Sequence, residues 1–255
     1  MCRKDGGFLK ENIFSESHKI LFYETDRTKK TTIGMLVNIL MLASQDQSIQ
    51  LGLTEEKLNE RGYGWVITQH VLKVERLPIF GENIKICTKA DSYNRYFCYR
   101  DFWIEDEEGK IIVKMHSIFV LMDHKKRKIA RLLPEFIEPY ESEYTNKIER
   151  VADPKSDPKS RLVSEKNYRV RFMDIDSNQH VNNVHYFDWM IDGLTEEFLL
   201  THTLAEMNIK YKREVHYGEM VNSETRMAEN QLVTYHLIKA GEEESCYACC
   251  TWRSK

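Results

Sequence analysis

RFMDIDSNQHVNNVHYFDWMIDGL, residues 171–194, decides how the rest of this chain is read. Its opening crowds Asp174, Asp176, Ser177, Asn178, His180, Asn182 and Asn183 together. Val181, Val184, Tyr186, Phe187, Met190, Ile191 and Leu194 then recur at three- and four-residue steps, which predicts a helix from about 181 to 200 with one apolar face. A helix start needs a single Asp, Ser or Asn as its cap. This cluster exceeds that need, and it lies beside backbone N–H groups that a helix start leaves unpaired and that can hold a developing negative charge. The stretch therefore reads as a candidate active site at a helix entrance.

Working outward, NYRVRF (167–172) precedes the cluster as a strand, and the chain beyond the helix is β-rich to its end. The same order occurs once before. IFSESHKILFY (13–23) reads as a strand. Thr31 or Thr32 can cap a helix over 33–51 whose face is Ile33, Leu36, Val37, Leu40 and Met41. Four segments rich in Val, Ile, Tyr and Phe follow, at 65–77, 82–93, 95–106 and 110–123. A helix followed by an antiparallel meander is an α+β plan. Residues 141–165 are polar, carry two Asp-Pro steps and lack periodicity, so they read as a linker between units at 1–140 and 166–255.

The two units align as a repeat, which suggests duplication. An offset of 148 sets Thr28, Lys30 and Thr32 opposite Asp176, Asn178 and His180; an offset of 137 sets VERLPIFGE (74–82) against YKREVHYGE (211–219), and Leu77 opposite Glu214. On this alignment the polar groups occur together in one unit and are missing together from the other. One unit is then active and the other a scaffold or substrate-binding half.

Composition narrows the function classes. With 42% hydrophobic and 30% charged residues and a net charge of −3, the chain has the balance of a globular protein and not of a nucleic-acid binder. No apolar run approaches the roughly 20 residues that cross a bilayer. The first residues, MCRKDGGFLKENIF, lack the apolar core of a secretory signal. The cysteines at 2, 87, 98, 246, 249 and 250 have no paired spacing, which predicts free thiols in a reducing cytoplasm. One CxxC at 246–249 is weak evidence for zinc, and His180 and His185 are five apart, so no metal and no cofactor are expected. His70 and His116 lie in strands and read as packing or hydrogen-bonded surface groups, not ligands.

Asp176-Ser177-Asn178-Gln179-His180-Val181-Asn182-Asn183, a DxNxHVNN motif, and the later YKREV at 211–215 resemble the plant-type acyl-acyl carrier protein thioesterases and their bacterial relatives. YGWVITQHVLKVERLP and the RDFWIED…HSIFVLMDHKKRK block support the likeness, which covers most of residues 15–255. The resemblance implies a tandem hotdog fold with two long helices, each wrapped by a sheet. It implies a bacterial, cytoplasmic enzyme that hydrolyses the thioester between a fatty acyl chain and acyl carrier protein, with catalysis in the second hotdog. The family's functional Asp, Asn, His and acidic residue fall on Asp176, Asn178, His180 and Glu214. A cysteine that follows that acid in plant members is here Val215, so a thiol nucleophile at that position is excluded.

On this reading Glu214 and His180 flank a water, with Glu214 the base. Asn178 holds the water or the carbonyl, Asp176 orients the loop, and the backbone N–H groups of Val181 and Asn182 receive the oxyanion. The basic run Lys125, Lys126, Arg127 and Lys128, with Arg131 beyond, is a candidate dock for the acidic carrier; Arg171, Lys210, Lys212 and Arg213 compete for that role. Another hotdog enzyme (an acyl-coenzyme A thioesterase or an acyl dehydratase), or a non-catalytic carrier-binding module, is the alternative. A homodimer is left open.

Overall fold

Two strands from different halves, β2 (Tyr63–Val74) and β9 (His202–Tyr211), pair antiparallel from Gln69 opposite Lys210 to Lys73 opposite Glu206, and join the halves into one sheet. This is seen in a computed structural model, described here for residues 12–154 and 156–255. Cys2 and the opening residues 1–11 lie outside them.

The first half runs β1 (Ile13–Lys19), α1 (Ile33–Gln50), α2 (Glu55–Glu60), β2, β3 (Asn83–Tyr93), β4 (Phe97–Glu105), β5 (Ile111–Asp123) and a two-residue β6 (Lys128–Ile129). A short α3 (Pro134–Ile137) and β7 (Glu143–Tyr144) lead to the second half. That half runs β8 (Arg161–Arg169), α4 (Val184–Ile191), α5 (Glu196–Thr201), β9, β10 (Met220–Met227), β11 (Val233–Ala240) and β12 (Glu243–Ser254). The sheet order is β1-β3-β4-β5-β2-β9-β12-β11-β10-β8, so each half repeats one order and the two meet at β2 and β9. This is the expected tandem hotdog.

One core unites the halves. Leu36, Val37 and Leu40 of α1 pack with Ile86 of β3 and Ile104 of β4, in the same cluster as Phe187 and Met190 of α4 with Ile209 of β9. Side chains of this size stabilise by about 1.5–3 kcal/mol each when fully buried. The two helices meet at Gly34. A Cβ there would stand 3.0 Å from Asp188 Oδ1 and 3.4 Å from Val184 O, so glycine permits the close approach.

The second helix departs from expectation. Instead of one helix over 181–200 there are two, α4 of 8 residues and α5 of 6, where α1 has 18. After α4, the turn at Gly193 and Leu194 leads to Thr195, whose hydroxyl accepts from Phe198 N–H at 3.2 Å and starts α5. Thr54 caps α2 in the same way. The expected linker also ends early, because β8 begins at Arg161. β8 is an edge strand, exposed along most of its length, so its polar residues resembled linker composition.

The repeat is more regular in space than the alignment by sequence suggested. Isolated bridges join Thr25 to Thr31 and Ile175 to Val181, an offset of 150 and not 148. Thr31 N–H donates to Pro78 O at 2.9 Å and Val181 N–H to Val215 O at 2.8 Å, which keeps the second offset at 137. The caps Thr54 and Thr195 differ by 141. Most of the lost length therefore comes out of the helix itself, and the connection before the strand accounts for the lesser part.

Candidate active site

The segment from Val170 to Val181 is a loop closed on itself. A 3₁₀ turn, Phe172–Asp174, ends at the bridge from Ile175 to Val181; Asp176 N–H donates to His180 O at 3.0 Å and Gln179 N–H to Asp176 O at 3.0 Å. Gln179 takes φ +68°, the left-handed conformation that lets the chain reverse so tightly. Asp174 is buried; its Oδ2 accepts Arg171 N–H at 2.8 Å and its Oδ1 the Arg171 guanidinium at 2.6 Å. Burial alone would raise this carboxyl's pKa, but the Arg171 bonds outweigh it and hold it below the usual carboxylate range.

Glu214 arrives from the segment after β9 and is held beside the loop by the bond from Val181 N–H to the carbonyl of Val215. His180 stands between two carboxylates, its Nδ1 3.8 Å from Asp176 Oδ1 and its Nε2 3.6 Å from Glu214 Oε1. All three side chains are about one-quarter exposed. Asp176 Oδ1 accepts Asn178 N–H at 2.9 Å, leaving the Asn178 side chain exposed at the rim. Asp176, Asn178, His180 and Glu214 line one cleft of about 1590 Å³, whose walls include Val37, Met41, Ile118 and Phe119. The four are therefore brought together, polar groups at the mouth and apolar groups within.

The expected oxyanion donors fail. Val181 N–H is bonded to Val215 O at 2.8 Å, and Asn182 N–H to Asp174 O at 2.9 Å. Both are used to close the loop, because the helix proper begins only at Val184.

The basic run divides. Arg127, at φ +53° on the β5–β6 turn, donates from Nη2 to Glu214 Oε2 at 2.8 Å. Lys126 pairs with Asp123 at 3.3 Å, whereas Lys125, Lys128 and Arg131 are exposed and have no carboxylate partner among the described residues. The competing cations are engaged: Arg171 with Asp174, Lys210 with Asp153, Lys212 with Glu244 and Arg213 with Glu219 and Glu243. Lys212 and Arg213 thus pair with carboxylates other than Glu214.

At the offset of 150, Asp26 stands opposite Asp176, and Asp26 Oδ1 likewise accepts the N–H two residues on, from Thr28, at 2.7 Å. Glu24 matches Asp174: its Oε2 accepts Leu21 N–H at 2.7 Å. The Arg76–Glu82 pair, at 2.7 Å, matches Arg213–Glu219 at 3.2 Å. The polar set is therefore not missing as a whole from the first half; part of it shapes the loop in both. What the second half alone carries is Asn178 for Thr28, His180 for Lys30 and Glu214 for Leu77. The halves also bind each other reciprocally. Ser177 Oγ donates to Glu55 Oε1 at 2.9 Å, and its counterpart Arg27 donates to Glu196, the counterpart of Glu55. Glu55 was not expected from sequence, since nothing local marks a partner 122 residues away.

His70 packs in the interior, while His116 takes a hydrogen-bonded place nearer the surface. His70 is buried with Nδ1 2.7 Å from Ser117 Oγ, and His116 Nδ1 lies 2.7 Å from Asp101 Oδ1. Cys87, Cys98, Cys246, Cys249 and Cys250 are free thiols whose pKa burial raises. Among the described residues no cluster of three His, Cys, Asp or Glu could hold a metal ion, and no helix is long and apolar enough to cross a membrane.

Fold and site together define a double hotdog protein with polar side chains gathered at an apolar cleft. The acyl-ACP thioesterase N-terminal domain matches residues 11–140 and the C-terminal domain residues 158–254; the chain belongs to the acyl-ACP thioesterase family. A Lactobacillus plantarum structure provisionally named an oleoyl thioesterase is 40% identical, with a TM-score of 0.91 over 96% of this chain and 98% of that one. An acyl-ACP thioesterase of Bacteroides thetaiotaomicron has the same fold, at 22% identity and a TM-score of 0.83 over 95% of this chain and 98% of that one. The chloroplastic palmitoyl-acyl carrier protein thioesterase of Cuphea hookeriana is 26% identical over 84% of this chain and 55% of its own. The chain spans about half the length of the curated relatives it matches.

Proposed function

We propose that this protein hydrolyses the thioester of fatty acyl chains carried by acyl carrier protein, releasing the free fatty acid and ending chain elongation. The observation that carries the reading is subtraction: Asn178, His180 and Glu214 distinguish the second half from its twin, and all three line the mouth of one apolar cleft. The division of labour follows, with residues 12–140 building the acyl pocket and 161–255 the chemistry.

Glu214 accepts a proton from water as the water oxygen attacks the thioester carbonyl carbon. His180 flanks the same water and Asp176 holds the loop. With the N–H groups of Val181 and Asn182 engaged, the Asn178 amide is the donor to the carbonyl oxygen; it stays neutral across the working pH range. Collapse of the tetrahedral intermediate breaks the C–S bond, and the departing sulfur takes the proton and leaves as a thiol. Val215 requires no thiol nucleophile there, and the free thiols suit a reducing bacterial cytoplasm. The unpaired Lys125, Lys128 and Arg131 support docking of an acidic carrier beside Arg127.

Thiol release from acyl carrier protein and coenzyme A thioesters of graded chain length tests this directly. A hydrolase liberates thiol, and a dehydratase or binding module does not. Base catalysis contributes about 10²–10⁴-fold, so Glu214→Gln should nearly abolish release while the protein remains folded. Near-normal turnover of that variant removes Glu214 as the base.

A further inference from the structure

The cleft that opens at Glu214 and His180 also runs against a buried cation. Arg100, on β4, is 7% exposed; its Nη1 donates to Gln47 Oε1 at 2.6 Å and to Thr88 Oγ1 at 3.1 Å, and its guanidinium carbon lies 4.9 Å from the Tyr140 ring centre. Among the described residues no carboxylate lies within ion-pair distance of it. Burial pulls its pKa below the usual value, opposed only by the nearby Tyr140 hydroxyl and Cys98 thiol and by no carboxylate. A guanidinium has five N–H groups, and the two bonds to Gln47 and Thr88 come from one nitrogen. Buried charges are ordinarily paired, and an unpaired one is costly.

Arg100, Ser48 and Tyr140 line the same cleft as Glu214. Helix α1 measures the separation. Gly34 touches Val184 and Asp188 of α4, next to the catalytic loop, while Gln47 touches Arg100, and at the rise of an α-helix this is about 20 Å. Arg100 therefore stands far from the mouth, where the distal end of an extended acyl chain would lie. A methyl end there would leave cationic N–H groups facing hydrocarbon, whereas an oxygen would complete them.

We propose that Arg100 forms a subsite for an acceptor oxygen at the distal end of the acyl chain, so that the substrates include thioesters of ω-carboxy or ω-hydroxy acids. This rests on the cleft being the acyl channel of the hydrolase described above.

The test compares kcat/KM for carrier-protein thioesters of one chain length ending in methyl, ω-hydroxyl or ω-carboxyl. The wild-type protein should favour an oxygenated end by about tenfold or more, the scale of a charge-assisted hydrogen bond, and the better of the two oxygens identifies the class. Arg100→Met should erase that preference and Arg100→Lys keep part of it. A wild-type preference for the methyl end overturns the proposal, and needs no variant to be read. So does an unchanged ratio in Arg100→Met. Calorimetric binding of hexadecanedioic against hexadecanoic acid reads the subsite without turnover. If no thioester is cleaved yet the diacid binds more tightly in an Arg100-dependent way, the hydrolase reading fails and the subsite stands.

Discussion

Arg127 Nη2 donates to Glu214 Oε2 at 2.8 Å, so a hairpin of the first half grips the proposed base of the second. Glu214 Oε1, the other oxygen, faces His180 Nε2 at 3.6 Å. One carboxylate thus has one oxygen fixed by a cation and one turned to the histidine. The Arg127 side chain is 70% exposed, and an ion pair so open contributes about 0–1 kcal/mol to stability. Its use is geometric. Arg127→Ala should lower kcat about fivefold, the scale of that positioning energy, and leave the melting temperature nearly unchanged. Charge reversal at Lys125, Lys128 or Arg131 should raise KM for the carrier-bound substrate with kcat intact. Steady-state kinetics at two ionic strengths separates the effects, since docking by exposed charges weakens with salt.

Asp26 and Asp176 allow a controlled comparison. Each accepts the N–H two residues on, at 2.7 Å and 2.9 Å, in equivalent loops. Replacing either by alanine removes one local bond, which costs about 1 kcal/mol of stability. Asp26→Ala should leave turnover unchanged. Asp176→Ala should reduce it, because its loop presents Asn178 and His180. Asn178→Ala should reduce turnover, by about 10²–10³-fold if its amide is the oxyanion donor, without loss of stability. Denaturant melts beside rate measurements check the set; an equal loss of activity from Asp26→Ala would contradict it.

The repeat and the gathering of Asp176, Asn178, His180 and Glu214 were legible in the sequence because they rest on local pattern and motif. The register of the repeat was not. The alignment slipped by two because the helix in which the second half is short hides the deletion inside a continuous apolar pattern, and the slip concealed Asp26 as the twin of Asp176. The oxyanion donors were misjudged for a related reason. Val181 and Asn182 stand where the apolar helical pattern begins, yet their N–H groups close a loop, and only the partners Val215 and Asp174 reveal it. Pairs such as Ser177 with Glu55 and Glu214 with Arg127 join residues 122 and 87 positions apart, a relation that local periodicity does not carry.

His70 and His236 are both buried, and desolvation lowers each pKa from 6.5 to about 3. Between those values the unfolded chain binds protons that the folded one cannot, so stability falls as pH drops from about 6.5 toward 3 and is fully present above 6.5. Each imidazole contributes a slope of at most about 1.4 kcal/mol per pH unit. Urea melts at pH 7, 6, 5 and 4 should trace this acid limb, and His70→Gln should make it shallower. An identical limb in that variant would assign acid lability to other groups.

Gly193 lies in the turn between α4 and α5, against Thr225 of β10. A Cβ on this residue would collide with Thr225 Oγ1 and stand 3.0 Å from Thr225 Cβ and 3.2 Å from Met190 O. Thr225 cannot swing clear, because it is fully buried and its hydroxyl lies 3.2 Å from His236 Nδ1. The φ of Gly193 is not in the left-handed region, so alanine meets no backbone strain and the cost is steric alone. Gly193→Ala should destabilise by about 1–3 kcal/mol, the usual cost of overpacking a core. In a Thr225→Ala background the obstructing hydroxyl is gone, and the same substitution should cost measurably less. A double-mutant cycle on the two positions reads this coupling, and additive losses would place the strain elsewhere.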